Sequence, residues 1–308
     1  MNKLEDYLKP TQKELFNLLV RKYQDKALVH EGGYILIQGK APVMLLAHLD
    51  TVHAKPVKQI CKSSDGNILM SPQGIGGDDR CGVYALEKVY ENSLVKPWLL
   101  FTCDEEIGGV GADMFAAAHN KGKLPKGLGN LKLLIEIDRK GSRDAVYYDC
   151  ANPEFEAYIT GKGFVTAKGS FSDISIIAPE LGVAAVNLSS GYYGAHTLYE
   201  HINIRQLEAV IQSVIGIVFD AAMPDFPRYR YIERVRQSIK ASDPWEIYDF
   251  WDDVPRDLSG RLAEIYGALL NIYSKTELEW NRREYGDRIL LYMYEAEFGS
   301  IFLREKED

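Results

Sequence analysis

Apolar residues in this chain fall into short unbroken runs separated by stretches of helical rhythm. "PVMLLAHLD" (42 to 50), "PWLLFTCDEE" (97 to 106), "LKLLIEID" (131 to 138) and "VAAVNLSSG" (183 to 191) read as strands buried on both faces, and "GYILIQG" (33 to 39) as a further strand. Between them, "CGVYALEKVYEN" (81 to 92), "GADMFAAAH" (111 to 119) and "IRQLEAVIQSVIGIVFDAAM" (204 to 223) space their apolar positions as helices do. Leu4, Tyr7, Leu8, Leu15, Leu18 and Leu19 predict another helix over residues 4 to 24, laid against the core. Apolar strands alternating with helices predict an α/β domain whose mainly parallel sheet is covered on both faces.

The pattern changes after "MPDFP" (223 to 227), whose prolines break the helical rhythm. Beyond it the chain is rich in aromatic residues at helical spacing: Leu262, Ile265, Tyr266, Leu269 and Tyr273, then Leu290, Leu291, Tyr294, Phe298 and Phe302. The expected division is an α/β domain over residues 1 to 223 and a helical, aromatic-rich extension over 224 to 308. There is no internal repeat and no low-complexity tract.

Composition narrows the partners. With 308 residues, 46% hydrophobic and 26% charged, the chain can bury a full core. A formal net charge of −8 supplies no basic stripe, which argues against nucleic acid and against an anionic membrane surface. No apolar stretch approaches the roughly 20 residues of a membrane span, and "MNKLEDYLKP" has no signal-peptide centre, so the expected location is the cytoplasm. Cys61, Cys81, Cys103 and Cys150 occur singly, without CxxC spacing, and are expected to be reduced thiols.

Chemistry concentrates at the strand ends. In an open parallel sheet, ligands bind outside the carboxyl ends of the strands. There "AHLDT" places His48 and Asp50, "TCDEE" places Asp104, Glu105 and Glu106, and "EID" places Asp138. So many acids on one edge would repel one another unless cations neutralise them. Oxygen and imidazole donors without thiolate suit zinc or a similar divalent ion, with cobalt and manganese as substitutes. In "HLD" the two side chains share a strand face, so Asp50 can hold the ring nitrogen of His48 that a metal does not use.

"GIGGDDRCG" (74 to 82) fits the same picture. A glycine turn feeding a helix usually cradles a phosphate, but here two acids stand where the anion would sit, and no Lys with Ser or Thr comes after them. A carboxylate can instead bridge two cations about 3.5–4 Å apart, and Asp78 at the mouth of the turn is placed for that.

Taken in order, "AHLDT", "GGDDRCG", "TCDEEIGGVGA", "EID" and "GAHTLYE" resemble the motifs of the co-catalytic di-zinc exopeptidases, metallopeptidase clan MH, over about residues 40 to 205. That superfamily joins zinc aminopeptidases with aminoacylase and carboxypeptidase relatives. The resemblance implies a three-layer α/β/α zinc-exopeptidase-like domain with a mixed, mainly parallel sheet. It implies that His48 and Asp138 bind one zinc, that Glu106 and His196 bind the other, and that Asp78 bridges them. Glu105 then looks like the general base and Asp50 the residue that orients His48. "HTLYE" selects His196 over His201, which is left as a hydrogen-bonding or surface residue, while His30, His53 and His119 match no motif. His53 remains a weaker candidate for touching substrate, and Tyr192 or Tyr193 for donating to an oxyanion.

Aminoacylase and carboxypeptidase relatives carry a lid and dimerisation domain between the equivalents of Asp138 and His196. Only 58 positions separate those residues here, so the sequence looks more like the lidless aminopeptidase branch. "SFSDISII" (170 to 177) resembles a Ser-Asp segment of that branch, with Ile174 where those enzymes often have His. The expected activity is a metal-dependent exopeptidase, an aminopeptidase for short peptides, with a homo-oligomer left open. The alternatives are an amidohydrolase or deacylase acting on N-acyl amino acids and related small amides, and a non-catalytic binding module that kept the fold.

Overall fold

The computed structural model describes residues 3–53, 55–169, 171–234 and 262–269 and the single positions 278, 290, 293 and 294. It forms two compact units, Met1–Ser242 and Asp243–Asp308.

The first unit opens with α1 (Glu5–Leu8) and α2 (Gln12–Tyr23). The single helix expected over 4 to 24 is therefore two. Pro10 cannot donate to a continuing helix, and Thr11 starts a new one. Its hydroxyl accepts from the Glu14 amide while the Glu14 carboxylate accepts from the Thr11 amide, a reciprocal cap. Next come β1 (Ala27–His30), β2 (Tyr34–Ile37), β3 (Val43–His48), β4 (Cys61–Lys62), β5 (Ile68–Met70), α3 (Gly77–Asn92), β6 (Trp98–Thr102) and α4 (Val110–Asn120). The unit continues through β7 (Leu133–Arg139), β8 (Asp144–Val146), α5 (Pro153–Gly161), β9 (Val165–Thr166), α6 (Asp173–Leu181), β10 (Ala185–Ser189), β11 (Tyr192–Tyr193), β12 (His201–Asn203) and α7 (Ile204–Ala221).

Eight strands form one sheet in the order β1-β2-β6-β3-β7-β10-β8-β9. The central β6, β3, β7 and β10 are mutually parallel, while β1, β2 and β8 pair antiparallel at the flanks. Alternation along β3 divides its side chains between two cores. Leu45 and Ala47 pack with Leu86 and Val89 of α3 and Val210 and Val214 of α7. Met44 and Leu46 pack with Phe115 of α4 and Ile177 of α6. The result is the expected three-layer α/β/α arrangement. Each fully buried Leu, Ile or Phe in it contributes about 1.5–3 kcal/mol of transfer free energy.

A second, antiparallel sheet runs β11-β12-β5-β4. Its strands of two or three residues are too short to leave a period in the sequence, which predicts no strand there. Among the described residues, the interval between Asp138 and His196 is occupied by β8, α5, β9, α6, β10 and β11.

Residues just past 223 pack on this unit. The Tyr229 ring lies tilted 5.1 Å from Phe155, Phe226 lies 5.1 Å from Tyr158, and Arg230 bridges to Val183. In the second unit, α8 (Leu262–Leu269) buries Ile265 and Leu269, and Leu278 and Leu290 are also buried. Tyr273, Leu291, Phe298 and Phe302 lie outside the described residues. No helix among the described residues is long and apolar enough to cross a membrane.

Candidate metal centre

Parallel register brings the loops of three strands to one level. His48 ends β3 opposite Thr102, the last residue of β6, and Leu46 pairs with Glu136 of β7 two residues before Asp138. The chain leaves β6 through Asp104, whose φ of 59° is a left-handed conformation uncommon outside glycine. Gln12 of α2 holds it there, donating to Asp104 Oδ1 at 2.7 Å and accepting from the Asp104 amide at 3.1 Å.

Asp50 ties two of these loops together. Its Oδ1 lies 3.2 Å from His48 Nδ1 and accepts from the Glu105 amide at 3.1 Å, and its Oδ2 accepts from the Glu106 amide at 3.0 Å. His48 Nε2 is left facing Asp78 Oδ1 at 3.2 Å and Asp138 Oδ1 at 3.6 Å. Asp78 stands at the start of α3, where the backbone is not yet helical and Gly76, at φ 64°, turns the chain in. Its second oxygen faces His196 Nε2 at 3.3 Å, and Glu106 Oε2 approaches the same nitrogen at 3.1 Å. His196 itself has φ 64°.

The five expected ligands thus form two groups that share one carboxylate. His48, Asp138 and Asp78 Oδ1 make the first; His196, Glu106 and Asp78 Oδ2 make the second. Metal-ligand geometry also relates His48, Asp78 and Glu106, and separately His48, Asp79 and Asp138. Asp138 Oδ1 and Glu106 Oε1 are buried with no hydrogen-bond donor. A buried carboxylate oxygen without a partner is costly, and a cation would satisfy both. The donor set therefore fits divalent metal ions.

Electrostatics agree with that fit. Burial works against the His48 imidazolium, but Asp138, Asp50 and Asp78 outweigh it and hold its pKa well above the ordinary value. Hydrogen bonds to Asp78 and Glu106 hold His196 up at about 11. Burial and the Asp78 charge raise Asp138 to about 8 despite His48. Burial likewise raises Glu105 to about 9, opposed by His48 and reinforced by Asp138, Asp173 and Glu106. Burial opposes ionisation of Asp78 too, yet the two histidines keep it well below the usual carboxylate range. Binding a cation here would require these groups to give up their protons.

Six of the seven residues singled out in the sequence bring their side chains together here, and Glu105, the expected base, is tied to the group by its amide on Asp50. Others support the site without a role readable from the sequence. Asn187 of β10 accepts from the Asp138 amide at 2.9 Å and donates to Ser172 and Tyr148. Ser172 in turn contacts Glu136, and Thr102 donates to Asp173. Asp79, fully buried, accepts from the His48 amide at 3.3 Å and the Gly82 amide at 3.0 Å. "DD" and "SD" are visible in the sequence; which acid faces the site and which supports it is not.

The two tyrosines are a correction. The Tyr192 hydroxyl donates to the Asp138 carbonyl at 3.1 Å and that of Tyr193 to Gln206 at 2.6 Å, so both protons are spent within the fold. His53 points its Nε2 at Glu200, 2.7 Å away. His201 stacks on Tyr193 and contacts the Tyr199 carbonyl, the hydrogen-bonding role expected of it. A cavity of about 550 Å³ opens beside Asp50 and Glu106 and is also lined by Leu8, Gln12, His53 and Arg80.

No family model matches the sequence, and no curated protein does. Solved structures share the fold. A tripeptidase from Staphylococcus aureus superposes with a TM-score of 0.54 at 15% identity, covering 72% of this chain and 97% of that one. Aminopeptidase PepT from Bacillus cereus gives 0.54 at 14% identity, over 72% of this chain and 98% of that one. PhTET1-12s, a dodecamer in its asymmetric unit, gives 0.52 at 13% identity, over 70% and 97%. The fold expected from the motifs is the fold observed.

Proposed function

We propose that a chain with this fold and this centre is a metal-dependent exopeptidase, an aminopeptidase that hydrolyses short peptides. One observation supports it above the rest: Asp78 turns one oxygen to each of two imidazoles that belong to separate donor groups. Solved structures of the same fold are a tripeptidase and aminopeptidases.

In this reading His48, Asp138 and Asp78 hold one divalent cation, and Asp78, Glu106 and His196 hold the second. Zinc is favoured by the donors, with cobalt or manganese as substitutes. Such a pair, when bound, acidifies water and polarises a carbonyl. Glu105 is the general base, taking a proton from the attacking water and returning it to the leaving amine. Asp50 fixes the base by its backbone amide and His48 by its ring. The cavity beside Glu106 receives the substrate. Four free cysteines suit a cytoplasmic setting, and a homo-oligomer is included because one structure of this fold holds a dodecamer.

Metal analysis paired with Glu105→Gln tests the proposal. Close to two ions per chain should remain in both proteins, while cleavage of aminoacyl-anilides falls by about 10²–10⁴ in the variant. Cleavage of N-acyl amino acids instead would make the protein a deacylase. No bound metal and no chelator-sensitive hydrolysis would leave only a binding module.

A further inference from the structure

Behind the metal-facing side of Asp78 lies a carboxylate that the proposed chemistry does not use. Glu200 is fully buried. Its Oε1 accepts from the amide of Asp78 at 3.0 Å, and its Oε2 accepts from the amide of Gly76 at 3.0 Å and meets His53 Nε2 at 2.7 Å. Among the described residues no lysine or arginine pairs with it; its contacts there are two backbone amides and the His53 ring nitrogen. The approach is tight on both sides. A Cβ on Gly77 would stand 3.2 Å from Glu200 Oε1, and one on Gly74, at φ 81°, would stand 2.2 Å from the His53 ring. His53 is mostly buried and lines the cavity with its remaining surface.

The amide that Glu200 grips belongs to the bridging residue itself. Asp78 must point Oδ1 at His48 and Oδ2 at His196, with 3.2 and 3.3 Å separating the atoms. Swinging its Cα–Cβ bond would improve one contact by spoiling the other. We infer that Glu200, steadied by His53, is a positioning residue that aims Asp78 so that one carboxylate serves two cations. This rests on the metal-centre reading of the proposed function.

The test uses the full chain loaded with cobalt, in four forms: wild type, Glu200→Gln, His53→Leu and His53→Gln. Cobalt affinity and stoichiometry, the visible absorption of bound cobalt, and kcat and KM on an aminoacyl-anilide are measured. Glu200→Gln and His53→Leu should weaken at least one cobalt site about 10–100-fold and alter the absorption. They should also lower kcat, with KM within about threefold. His53→Gln, which keeps an N–H for Glu200, should recover most of both losses. Wild-type affinity, absorption and kcat in folded Glu200→Gln and His53→Leu would overturn the inference and leave the metal-centre reading intact. If Glu200→Gln does not fold, the two His53 variants decide by the same readings. A wild-type chain that binds no cobalt would overturn both.

Discussion

Asp50→Asn separates the roles gathered at the centre. The carboxylate accepts three hydrogen bonds: His48 Nδ1 and the Glu105 amide on Oδ1, and the Glu106 amide on Oδ2. An asparagine has one acceptor oxygen and one NH2. If the NH2 faces Glu106, that part-buried amide meets a donor. If it faces His48, the ring must accept at Nδ1, which puts the proton on Nε2, the nitrogen turned to Asp78 and Asp138. Either orientation leaves at least one part-buried donor unsatisfied, at about 1–3 kcal/mol. For a unit of this size that is roughly 2–12 °C in Tm, at about 2–4 °C per kcal/mol. Metal affinity or turnover should fall about 10–100-fold besides. Thermal melts, cobalt titration and anilide hydrolysis on the purified variant measure these effects. A melting point within about 1 °C of wild type, together with unchanged cobalt affinity and kcat, would refute the account of Asp50 as the tie between both loops.

In chelated protein, His196 is held up at about 11, Asp138 at about 8 and Glu105 at about 9, so the folded state keeps protons that the unfolded chain releases. Stability then declines as pH rises from about 5 towards 9, whereas Asp78, held low, loses its contribution only in acid. Added zinc should reverse the trend, because ligands must be deprotonated to bind it, and Tm of chelated protein that stays flat or rises from about pH 5 to 9 would count against this. Gly82→Ala puts a Cβ 2.2 Å from the Ile137 carbonyl oxygen and 2.4 Å from Asp79 Oδ1. Since neither can withdraw cheaply, the cost should exceed the usual overpacking penalty of about 1–3 kcal/mol and show as insoluble protein or a Tm more than about 10 °C lower. Tyr7→Phe removes one donor from the buried Glu87, which keeps Tyr23 and Lys22. That change should cost about 0.5–1.5 kcal/mol in a denaturant melt and leave kcat/KM unaltered.

The central strands, and the gathering of the seven expected site residues at one sheet edge, are legible because their signals are strong and local. "VMLLAH" and "LLIEID" are continuous apolar runs ending in polar residues, and parallel pairing levels those ends whatever the loops do. Pro10 is a helix breaker in plain view, but leucine spacing across it suggests one helix; the Thr11 cap settles the matter for two. The small sheet is illegible because Cys61–Lys62 and Tyr192–Tyr193 are strands only by virtue of partners far along the chain. The same holds for Tyr192, which in the sequence looks free to reach an oxyanion and in the fold is taken by the Asp138 carbonyl. Glu200 stands in the motif "HTLYE", yet nothing in one sequence says that a glutamate will turn inward to grip backbone amides more than 120 positions away.

That separation has a kinetic meaning. The clasp on Asp78 joins residues 122 positions apart, and closing so long a loop is entropically unfavourable until the intervening sheet has formed. A nascent polypeptide that has not yet reached His196 and Glu200 carries His48, Asp78, Glu106 and Asp138 but lacks the second imidazole and the clasp on Asp78. On the proposed reading, the second group would be complete only once β11 and β12 are in place, so a site for two ions would be a property of the finished molecule.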